Sequence, residues 1–302
     1  LQKHRLHDAI SNFVHISGEN VMTTQNIGIL HPGEMGISVA ASAKNSGHSV
    51  FWVSQGRSEA TRARAERFDL RELRSLSELC ETCSMIISVC PPKYAGELSQ
   101  QVLQAGFKGI FLDANAISPM RSQEIGKQMA LVGVEYVDGG IIGGPAWQEN
   151  STFLYLSGFQ SAQVADCFEQ GPLVTRIIGE EIGRASAMKM CYAAKTKGMT
   201  ALLCSIVATA NELGVWEDLE RHWSAEVSGA GRKTVEDIRK VTAKAWRFSG
   251  EMEEIASTLD FAGLPDGFHK AAADTYQRMA HFKDHQELPE LEEVLRSLVC
   301  SS

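Results

Sequence analysis

The stretch of residues 26–36 constrains the fold of this chain more than any other segment. An apolar strand pattern runs into a turn that holds Gly33 and Gly36, and small and apolar residues follow at 37–43. A strand, a glycine turn and a helix in this order are typical of a dinucleotide site, because glycines let backbone amides approach a pyrophosphate at the positive end of the helix. The sequence therefore predicts an NAD(P) site.

The turn departs from the usual glycine pattern, G-x-G-x-x-G, at its first position. His31 stands where the first glycine is usual, while Gly33 and Gly36 occupy the second and third positions. We expect His31 to make the turn, since His tolerates unusual backbone angles better than most residues. We interpret it as a turn histidine without chemistry rather than as a catalytic one. The turn residues predicted to contact the cofactor are His31, Pro32, Gly33, Glu34 and Met35.

The end of the second predicted strand bears on which nicotinamide cofactor is bound. An acidic residue there would bind the ribose hydroxyls of NAD and repel a 2'-phosphate, but residues 54–58 contain none. Ser54, Arg57 and Ser58 instead offer hydroxyls and a guanidinium that suit a phosphate dianion. We therefore predict NADP(H) over NAD(H). The alternative is that Arg57 and Arg62 belong to a solvated helix start.

Strands and helices alternate through the first part of the chain. Strands are predicted at 26–30, 48–53, 85–90, 109–115, 134–138, 152–158 and 173–179, with helices at 60–68, 75–83, 94–104 and 119–133. This alternation predicts an α/β fold with a Rossmann-type, doubly wound parallel sheet. Ligands of such sheets bind at the carboxyl ends of the strands. Further cofactor contacts are predicted there for Cys90, Pro91, Pro92 and Asn115.

The chain changes character beyond Gly183. Residues 185–213 are almost continuously helical in propensity, with Gly198 as an interruption. Further helices are predicted at 217–228, 231–248, 250–262, 266–284 and 287–299. We therefore predict three parts, which are a flexible extension over 1–22, a Rossmann domain over 23–183 and an all-helical C-terminal domain over 184–302.

Composition excludes several function classes. The net charge of -8 and the pI near 5.6 argue against a nucleic-acid partner held by phosphate contacts. No apolar segment approaches the length of a membrane span. Seven cysteines form no regular framework, which favours a reducing, cytoplasmic location. Cys80 and Cys83 lack a second pair or a His cluster for zinc, so no metal site is predicted.

Four motifs, taken in order, resemble those of the β-hydroxyacid dehydrogenase superfamily, which contains 3-hydroxyisobutyrate and 6-phosphogluconate dehydrogenases. They are a glycine loop, an Asp-x-Ser/Asn-x-x-x-Pro strand motif, a substrate loop and a Gly-x-Gly-x-x-x-Lys segment, which here lie at 31–36, 113–119, 138–145 and 183–189. Residues 250–255 and 263–269 are similar to the C-terminal domain of a bacterial branch of this family. The similarity covers residues 25–285.

The resemblance implies that Lys189 is the general acid/base that faces the carbon exchanging hydride. Desolvation beside a nicotinamide and apolar walls would lower the pKa of such a lysine toward the working pH. Without the motif, Lys189, Lys195 and Lys197 would be interpreted as solvent-facing lysines of a long helix. The resemblance also implies a substrate-placing role for Asn115, Gly143 and Gly144.

Two positions depart from the family pattern. The family's asparagine four residues after the lysine is replaced by Ala193, and the serine of its Ser-Gly-Gly motif is replaced by Ile142. Both changes make the predicted pocket more apolar. A larger or less anionic carbonyl compound, or an imine, is therefore favoured over a small hydroxy acid.

Other side chains near these motifs have two interpretations each. Tyr192 is a candidate substrate contact, as a proton donor or stacking wall, with a place in the core as the alternative. His269 is a candidate substrate contact across the cleft, with a structural histidine as the alternative. Glu251, Glu253 and Glu254 are interpreted as a solvated helix face rather than as part of the cleft.

Taken together, these features predict an NADP(H)-dependent oxidoreductase. Hydride would pass between the nicotinamide and a carbonyl or hydroxyl carbon of a small organic substrate. The first alternative is an imine reductase, which shares this architecture and often lacks the lysine. The second is a catalytically silent NADP-binding protein, suggested by the unusual His31 and Ala193. The resemblance also implies a homodimer formed through the helical domain.

Overall fold

Short runs of apolar residues build one sheet in the first part of the chain. A computed structural model describes residues 24–285 and 287–299, so the predicted extension over 1–22 lies outside the described residues. The strands are β1 Asn26–Ile29, β2 Ser49–Val53, β3 Arg71–Leu73, β4 Met85–Ser88, β5 Ile110–Asp113, β6 Glu135–Ile142, β7 Thr152–Ser157 and β8 Leu173–Ile177. They form an eight-stranded sheet in the order β3-β2-β1-β4-β5-β6-β7-β8.

The sheet is parallel apart from one pair of strands. Only β6 and β7 pair in antiparallel fashion among the strands described. These two strands are joined by residues 143–151 without an intervening helix, and such a direct connection reverses the chain. The other neighbouring strands are parallel, and the chain crosses between them through helices, as in a doubly wound sheet.

Helices cover the sheet and then continue alone. The first six are α1 Glu34–Asn45, α2 Glu59–Arg67, α3 Leu76–Thr82, α4 Ala95–Gln104, α5 Pro119–Leu131 and α6 Ser161–Asp166. The later ones are α7 Arg184–Ala193, α8 Met199–Glu212, α9 Trp216–Glu226, α10 Ala230–Phe261, α11 Gly267–Arg278 and α12 Leu291–Val299. A π-helical turn, Ala194–Gly198, joins α7 to α8, and two 3-10 turns lie at Pro92–Tyr94 and Ala280–Asp284.

The predicted fold, a doubly wound sheet followed by a helical region, is confirmed. The prediction of separate helices at 231–248 and 250–262 is wrong, because α10 continues through Gly250. A glycine inside a helix costs about 1 kcal/mol, and burial of Phe248 and Met252 on either side outweighs that cost. The sequence also missed β3 and α6, which are short. The domain boundary after Gly183 stays a prediction.

Three buried clusters account for the packing. Successive residues of the central strands point to opposite faces of the sheet, as the strand period of two requires. Ile87 of β4 therefore joins the cluster on one face, while its neighbour Ile86 joins the cluster on the other. The third cluster lies among the later helices around Phe248 and Tyr276. In the described part of the chain, no helix is both long enough and apolar enough to cross a membrane.

The turn after β1 provides a test of the packing. A Cβ atom at Gly36 would lie 2.0 Å from the carbonyl oxygen of His31, whereas a Cβ atom at Gly33 would meet nothing within 4 Å. We expect Gly36→Ala to lower the free energy of unfolding by about 2 kcal/mol, because two backbone segments must separate. Gly33→Ala should change it by less than about 0.5 kcal/mol. Thermal unfolding of both variants checks this, and equal melting temperatures would contradict it.

Candidate active site

The carboxyl edge of the sheet gathers the loops that carry the sequence motifs. The strands β1, β4, β5 and β6 are neighbours in that order, and each is followed by one of these loops. Three strand spacings of about 4.8 Å place β6 about 14 Å from β1. Helix α10 crosses this edge, where it contacts both the turn Pro92–Tyr94 and α7. The site therefore lies between the sheet edge and the helical region.

The glycine turn leaves the start of α1 open. Gly33 is the N-cap of α1, and no side chain caps the helix there. The first N–H groups of a helix lack internal partners, so an anion can bind them. The open space beside Gly33 and the close approach at Gly36 fit a bound pyrophosphate. The expected unusual backbone at His31 is not found, since the described non-glycine residues with positive φ are Asp69 and Asn150.

His31 contacts the residue predicted to select the cofactor. Arg57 donates a hydrogen bond from Nη1 to Nε2 of His31 at 2.5 Å. Burial and, secondly, the charge of Arg57 lower the pKa of His31 to about 4. The imidazole is therefore neutral, with its proton on Nδ1. The interpretation of Arg57 as part of a solvated helix start is wrong, because this half-buried side chain is bound to the glycine turn.

Other charged side chains also surround the end of β2. Arg62 donates to the carbonyl oxygen of Ser54 at 3.0 Å, and Arg64 donates to that of Pro32 at 3.3 Å. The hydroxyl of Ser54 donates to the carboxylate of Glu72 on β3. Arg64 and Glu72 were not predicted as site residues from the sequence. Glu72 lies on β3, which was not predicted, so nothing in the sequence placed it beside the end of β2. In the structure, the register of β3 pairs Glu72 with Trp52 of β2.

Two of the predicted cofactor contacts have other hydrogen bonds. The hydroxyl of Ser58 caps α2 by accepting from the N–H of Thr61. Asn115 accepts from the N–H of Cys90 at 2.5 Å and donates from Nδ2 to Asp113 at 2.6 Å. Asn115 thus ties the end of β5 to the end of β4. Its direct contact with a cofactor stays a prediction, as do those of the turn at Cys90.

A carboxylate on β6 anchors the helix that carries Lys189. Asp138 is buried and accepts five hydrogen bonds, from the hydroxyls of Ser122, Ser157 and Ser186 and from the N–H groups of Gly183 and Ser186. The last three of these donors belong to the start of α7. Asp138 therefore fixes α7 to the sheet edge, and its charge is stabilised by the open end of the helix.

Lys189 lies directly above β6. A Cβ atom at Gly140 would lie 3.1 Å from Cβ of Lys189 and 2.6 Å from the carbonyl oxygen of Ala185, so the glycine allows α7 to approach the strand. Burial lowers the pKa of Lys189, partly opposed by Glu251, while Arg247 lowers it further. Among the described residues the amine has no hydrogen-bond partner, which leaves it available to a ligand.

Two of the three acidic residues on α10, Glu251 and Glu254, are bound by other parts of the protein. Their interpretation as a solvated helix face is therefore wrong, while that of Glu253 is not contradicted. Glu251 is buried and forms an ion pair with Lys197. Glu254 accepts from the N–H of Ser118 and from Arg121, which joins α10 to α5. Glu253 is exposed.

The remaining substrate candidates are dispersed. Gly143, with a φ of 124°, and Gly144 begin the exposed loop after β6. Tyr192 is 43% exposed, one turn after Lys189, and its interpretation as a core residue is wrong. His269 is buried behind the π-turn, where a Cβ atom at Gly198 would lie 2.9 Å from its Nε2. Substrate contact by these residues stays a prediction.

The buried carboxyl of Asp113 makes stability depend on pH. Burial chiefly, together with the charge of Asp138 and against hydrogen bonds from Asn115, raises the pKa of Asp113 to about 7. An unfolded Asp titrates near pH 4, so between about pH 4 and pH 7 the folded chain keeps a proton that the unfolded chain releases. Stability from this group is therefore present at low pH and is lost as the pH rises through 7.

We expect Asp113→Asn to remove this contribution. Between about pH 4 and pH 7 the unfolding free energy of the unaltered protein should fall by roughly 2–4 kcal/mol relative to that of the variant. Urea unfolding at several pH values measures the difference. Glu253→Gln, at an exposed position of α10, is the control and should follow the unaltered protein. A pH dependence that Asp113→Asn leaves unchanged would contradict the assignment.

Comparison with known proteins agrees with this architecture. Residues 26–170 match the family model of the NAD binding domain of 6-phosphogluconate dehydrogenase, and residues 210–279 match a domain of unknown function, DUF1932. The mitochondrial 3-hydroxyisobutyrate dehydrogenase of Drosophila melanogaster is 25% identical over 72% of this chain and 68% of the enzyme. An uncharacterised protein of Methanothermus fervidus is 27% identical over 55% of this chain, which spans 63% of that protein.

Solved structures share the fold along nearly the whole chain. The 3-hydroxyisobutyrate dehydrogenase of Mycobacterium tuberculosis, solved with L-serine, aligns with a TM-score of 0.67 at 18% identity over 92% of this chain and 100% of that one. The reductive aminase of Aspergillus terreus, solved with NADPH and ethyl levulinate, aligns with a TM-score of 0.54 at 15% identity over 91% and 99%. At these identities the structures show the fold alone.

The two matched families occur in the order that the sequence motifs predicted. The first supports a nicotinamide cofactor, and the curated relative that is named for its activity is a dehydrogenase. The predicted resemblance is thereby confirmed. The first part of the chain is therefore similar to the NAD binding domain of 6-phosphogluconate dehydrogenase, and its helical region contains a segment that matches DUF1932.

Proposed function

We propose that this protein is an NADP(H)-dependent oxidoreductase that acts on a carbonyl or hydroxyl carbon of a small organic substrate. The observation that carries the proposal is Lys189, whose Cβ packs over β6 at Gly140 and whose amine has no protein hydrogen-bond partner among the described residues. It lies at the same sheet edge as a glycine turn that fits a pyrophosphate. When bound there, the nicotinamide supplies or accepts the hydride.

Lys189 acts as the general acid/base in this proposal. In the direction of reduction its ammonium donates a proton to the oxygen that becomes an alkoxide, and in oxidation its amine takes that proton back. Burial beside Arg247 favours the neutral amine, while Glu251 opposes full loss of the charge. The pKa of the amine therefore lies below its usual 10.5, where a proton can be exchanged in both directions.

The preference for NADP(H) is supported by the side chains around β2. Arg57, Arg62 and Arg64 bring three guanidiniums to the end of β2 and the glycine turn. Guanidinium groups match the geometry of a phosphate dianion. Glu72 is the opposing charge, because its carboxylate on Ser54 would repel a 2'-phosphate. The positive charges outnumber the one carboxylate, so we propose that the phosphorylated cofactor binds more tightly.

An imine reductase remains the second candidate, since the reductive aminase shares the fold. The charges near Lys189 favour a carbonyl substrate. Lys197 pairs with Glu251, and Lys189 and Arg247 add two more positive charges that act on this carboxylate, so the excess positive charge disfavours a protonated imine. Turnover of ketones, hydroxy acids and cyclic imines with NADPH, measured side by side, separates the two candidates.

We further propose a homodimer formed through the helical region. Large apolar side chains are exposed there, among them Met199, Leu202 and Leu213, and exposed apolar surface often marks a protein interface.

The role of Lys189 is tested by removing its amine. We expect Lys189→Met to lower kcat by about 10²- to 10⁴-fold, because proton transfer in the transition state is lost. The Kd for NADPH should stay within about two-fold, measured by fluorescence titration, because no cofactor-binding role is proposed for the amine. Lys195→Met removes an exposed lysine of the same segment and should leave both quantities unchanged. Undiminished turnover in Lys189→Met would refute the proposed acid/base.

The cofactor preference is tested at two opposing charges. Arg57→Ala should weaken NADPH binding by about 1–3 kcal/mol and NADH binding much less, because only NADPH carries the 2'-phosphate. Glu72→Gln should strengthen NADPH binding relative to NADH, since it removes a repulsive charge. Calorimetric titration of both cofactors measures each effect. Equal changes for the two cofactors in both variants would rule out a 2'-phosphate site at the end of β2.

A further inference from the structure

The helix that carries Lys189 changes pitch shortly after it, and the change redirects a second lysine. Residues Ala194–Gly198 form a π-turn between α7 and α8. In an unbroken α-helix Lys197, eight residues after Lys189, would be rotated from it by roughly 80°. A π-turn accommodates one extra residue and brings Lys197 to within roughly 20° of the same face. Turns of this kind occur frequently at functional sites.

Helix α11 holds the π-turn in place. The hydroxyl of Tyr276 donates to the carbonyl oxygen of Lys197 at 2.7 Å. His269 packs against Gly198 so closely that no Cβ atom fits there. Tyr276 and His269 are both buried, so neither is free to move away from the turn. The backbone at Lys197 and Gly198 is therefore held by contacts with a different helix.

Lys197 uses this direction to bind Glu251 on α10. The two side chains form an ion pair and are only 18% and 7% exposed, respectively. The ammonium also lies 4.2 Å from the centre of the Phe248 ring, which stabilises a cation. A pair with this little solvent access is screened weakly by water and salt. The pair therefore engages the carboxylate of Glu251 where little water competes for it.

Glu251 is influenced by more than one cation, although Lys197 is the one that pairs with it among the described residues. Lys189 and Arg247 both act on its carboxylate besides Lys197, and all three lower the pKa of Glu251 against the effect of burial. The other nearby acids are engaged elsewhere, since Glu254 binds Arg121 and Ser118 and Asp138 accepts five hydrogen bonds at the start of α7. On α11, His269 and Tyr276 face the π-turn.

We propose that Lys197 is a positioning residue that binds Glu251 and so prevents this carboxylate from forming an ion pair with the amine of Lys189. The inference rests on the proposed acid/base function of Lys189. An amine bound to a carboxylate holds its proton more tightly and is blocked from a substrate. With Glu251 already engaged by Lys197, the Lys189 amine stays free to exchange a proton.

The proposal predicts opposite changes in two variants. Lys197→Met frees Glu251 and removes a like charge, so the pKa of Lys189 should rise by about one unit. Glu251→Gln leaves Lys189 beside two uncompensated cations, so that pKa should fall by about half a unit or more. Lys197→Arg keeps the ion pair and should preserve the original value. Lys195→Met, an exposed neighbour, is the matched control.

The pKa of Lys189 is measured in the full chain without cofactor. Competitive acetylation of amines with acetic anhydride between about pH 6 and pH 11, followed by mass spectrometry of the peptide that contains Lys189, gives its titration curve. Opposite shifts in Lys197→Met and Glu251→Gln support the proposal, and shifts of the same sign or no shifts overturn it. Should Lys197→Met fail to fold, Glu251→Gln decides, and an unchanged Lys189 pKa there overturns the proposal.

A kinetic measurement separates this inference from the proposed function. The rate of NADPH-dependent reduction should fall as the pH rises through the pKa of Lys189, because the ammonium is the proton donor. This fall should move to higher pH in Lys197→Met and to lower pH in Glu251→Gln. If acetylation shows the two shifts but the kinetic profiles do not follow, the ion-pair relation holds while the proposed acid/base function of Lys189 fails.

Discussion

The bond between Asp138 and the start of α7 connects the sheet to everything that follows it. A buried carboxylate is costly unless donors replace its lost hydration, and here five donors do so. Three of the five belong to the start of α7, so the same hydrogen bonds that stabilise the carboxylate also hold the helix in place. Because Gly140 lets the helix lie close to β6, the position of Lys189 above the sheet edge follows from this attachment.

Charge is distributed unevenly along the edge where the site lies. Near β2 and the glycine turn, guanidinium groups bind backbone carbonyls and His31, which orders them at this edge of the sheet. Near β6, Lys197 pairs with the buried carboxylate of Glu251, and the charges of Lys189 and Arg247 also lower the pKa of this carboxyl. Desolvation strengthens both arrangements, because Coulombic interactions grow as water is excluded. In the proposed function, these cations favour an anionic cofactor, and the more apolar pocket expected from Ala193 and Ile142 stays a prediction.

Contacts between residues distant in sequence also determine the conformation and burial of His31 and Lys197. His31 occupies a glycine position, yet it adopts no left-handed backbone and instead accepts a hydrogen bond from Arg57. The sequence around Lys197 is typical of a solvent-facing helix, but the π-turn, which Tyr276 binds, places Lys197 beside Glu251. In both cases a side chain distant in sequence decides the outcome. The local sequence pattern alone, a glycine turn for His31 and a helix for Lys197, predicts neither environment correctly.

The sequence by itself determined the strand, glycine turn and helix at 26–36, the alternation that builds the sheet, and the helical region that begins at Arg184, because these depend on local periodicity and on what glycine permits. The resemblance of residues 183–189 to a family motif also singled out Lys189. Only the tertiary structure decided that Glu251 is buried and that Glu72 meets Ser54. The pairs Lys197–Glu251 and Ser54–Glu72 both join elements that are distant along the chain. Whether a charged residue is buried depends on which partner the fold brings to it.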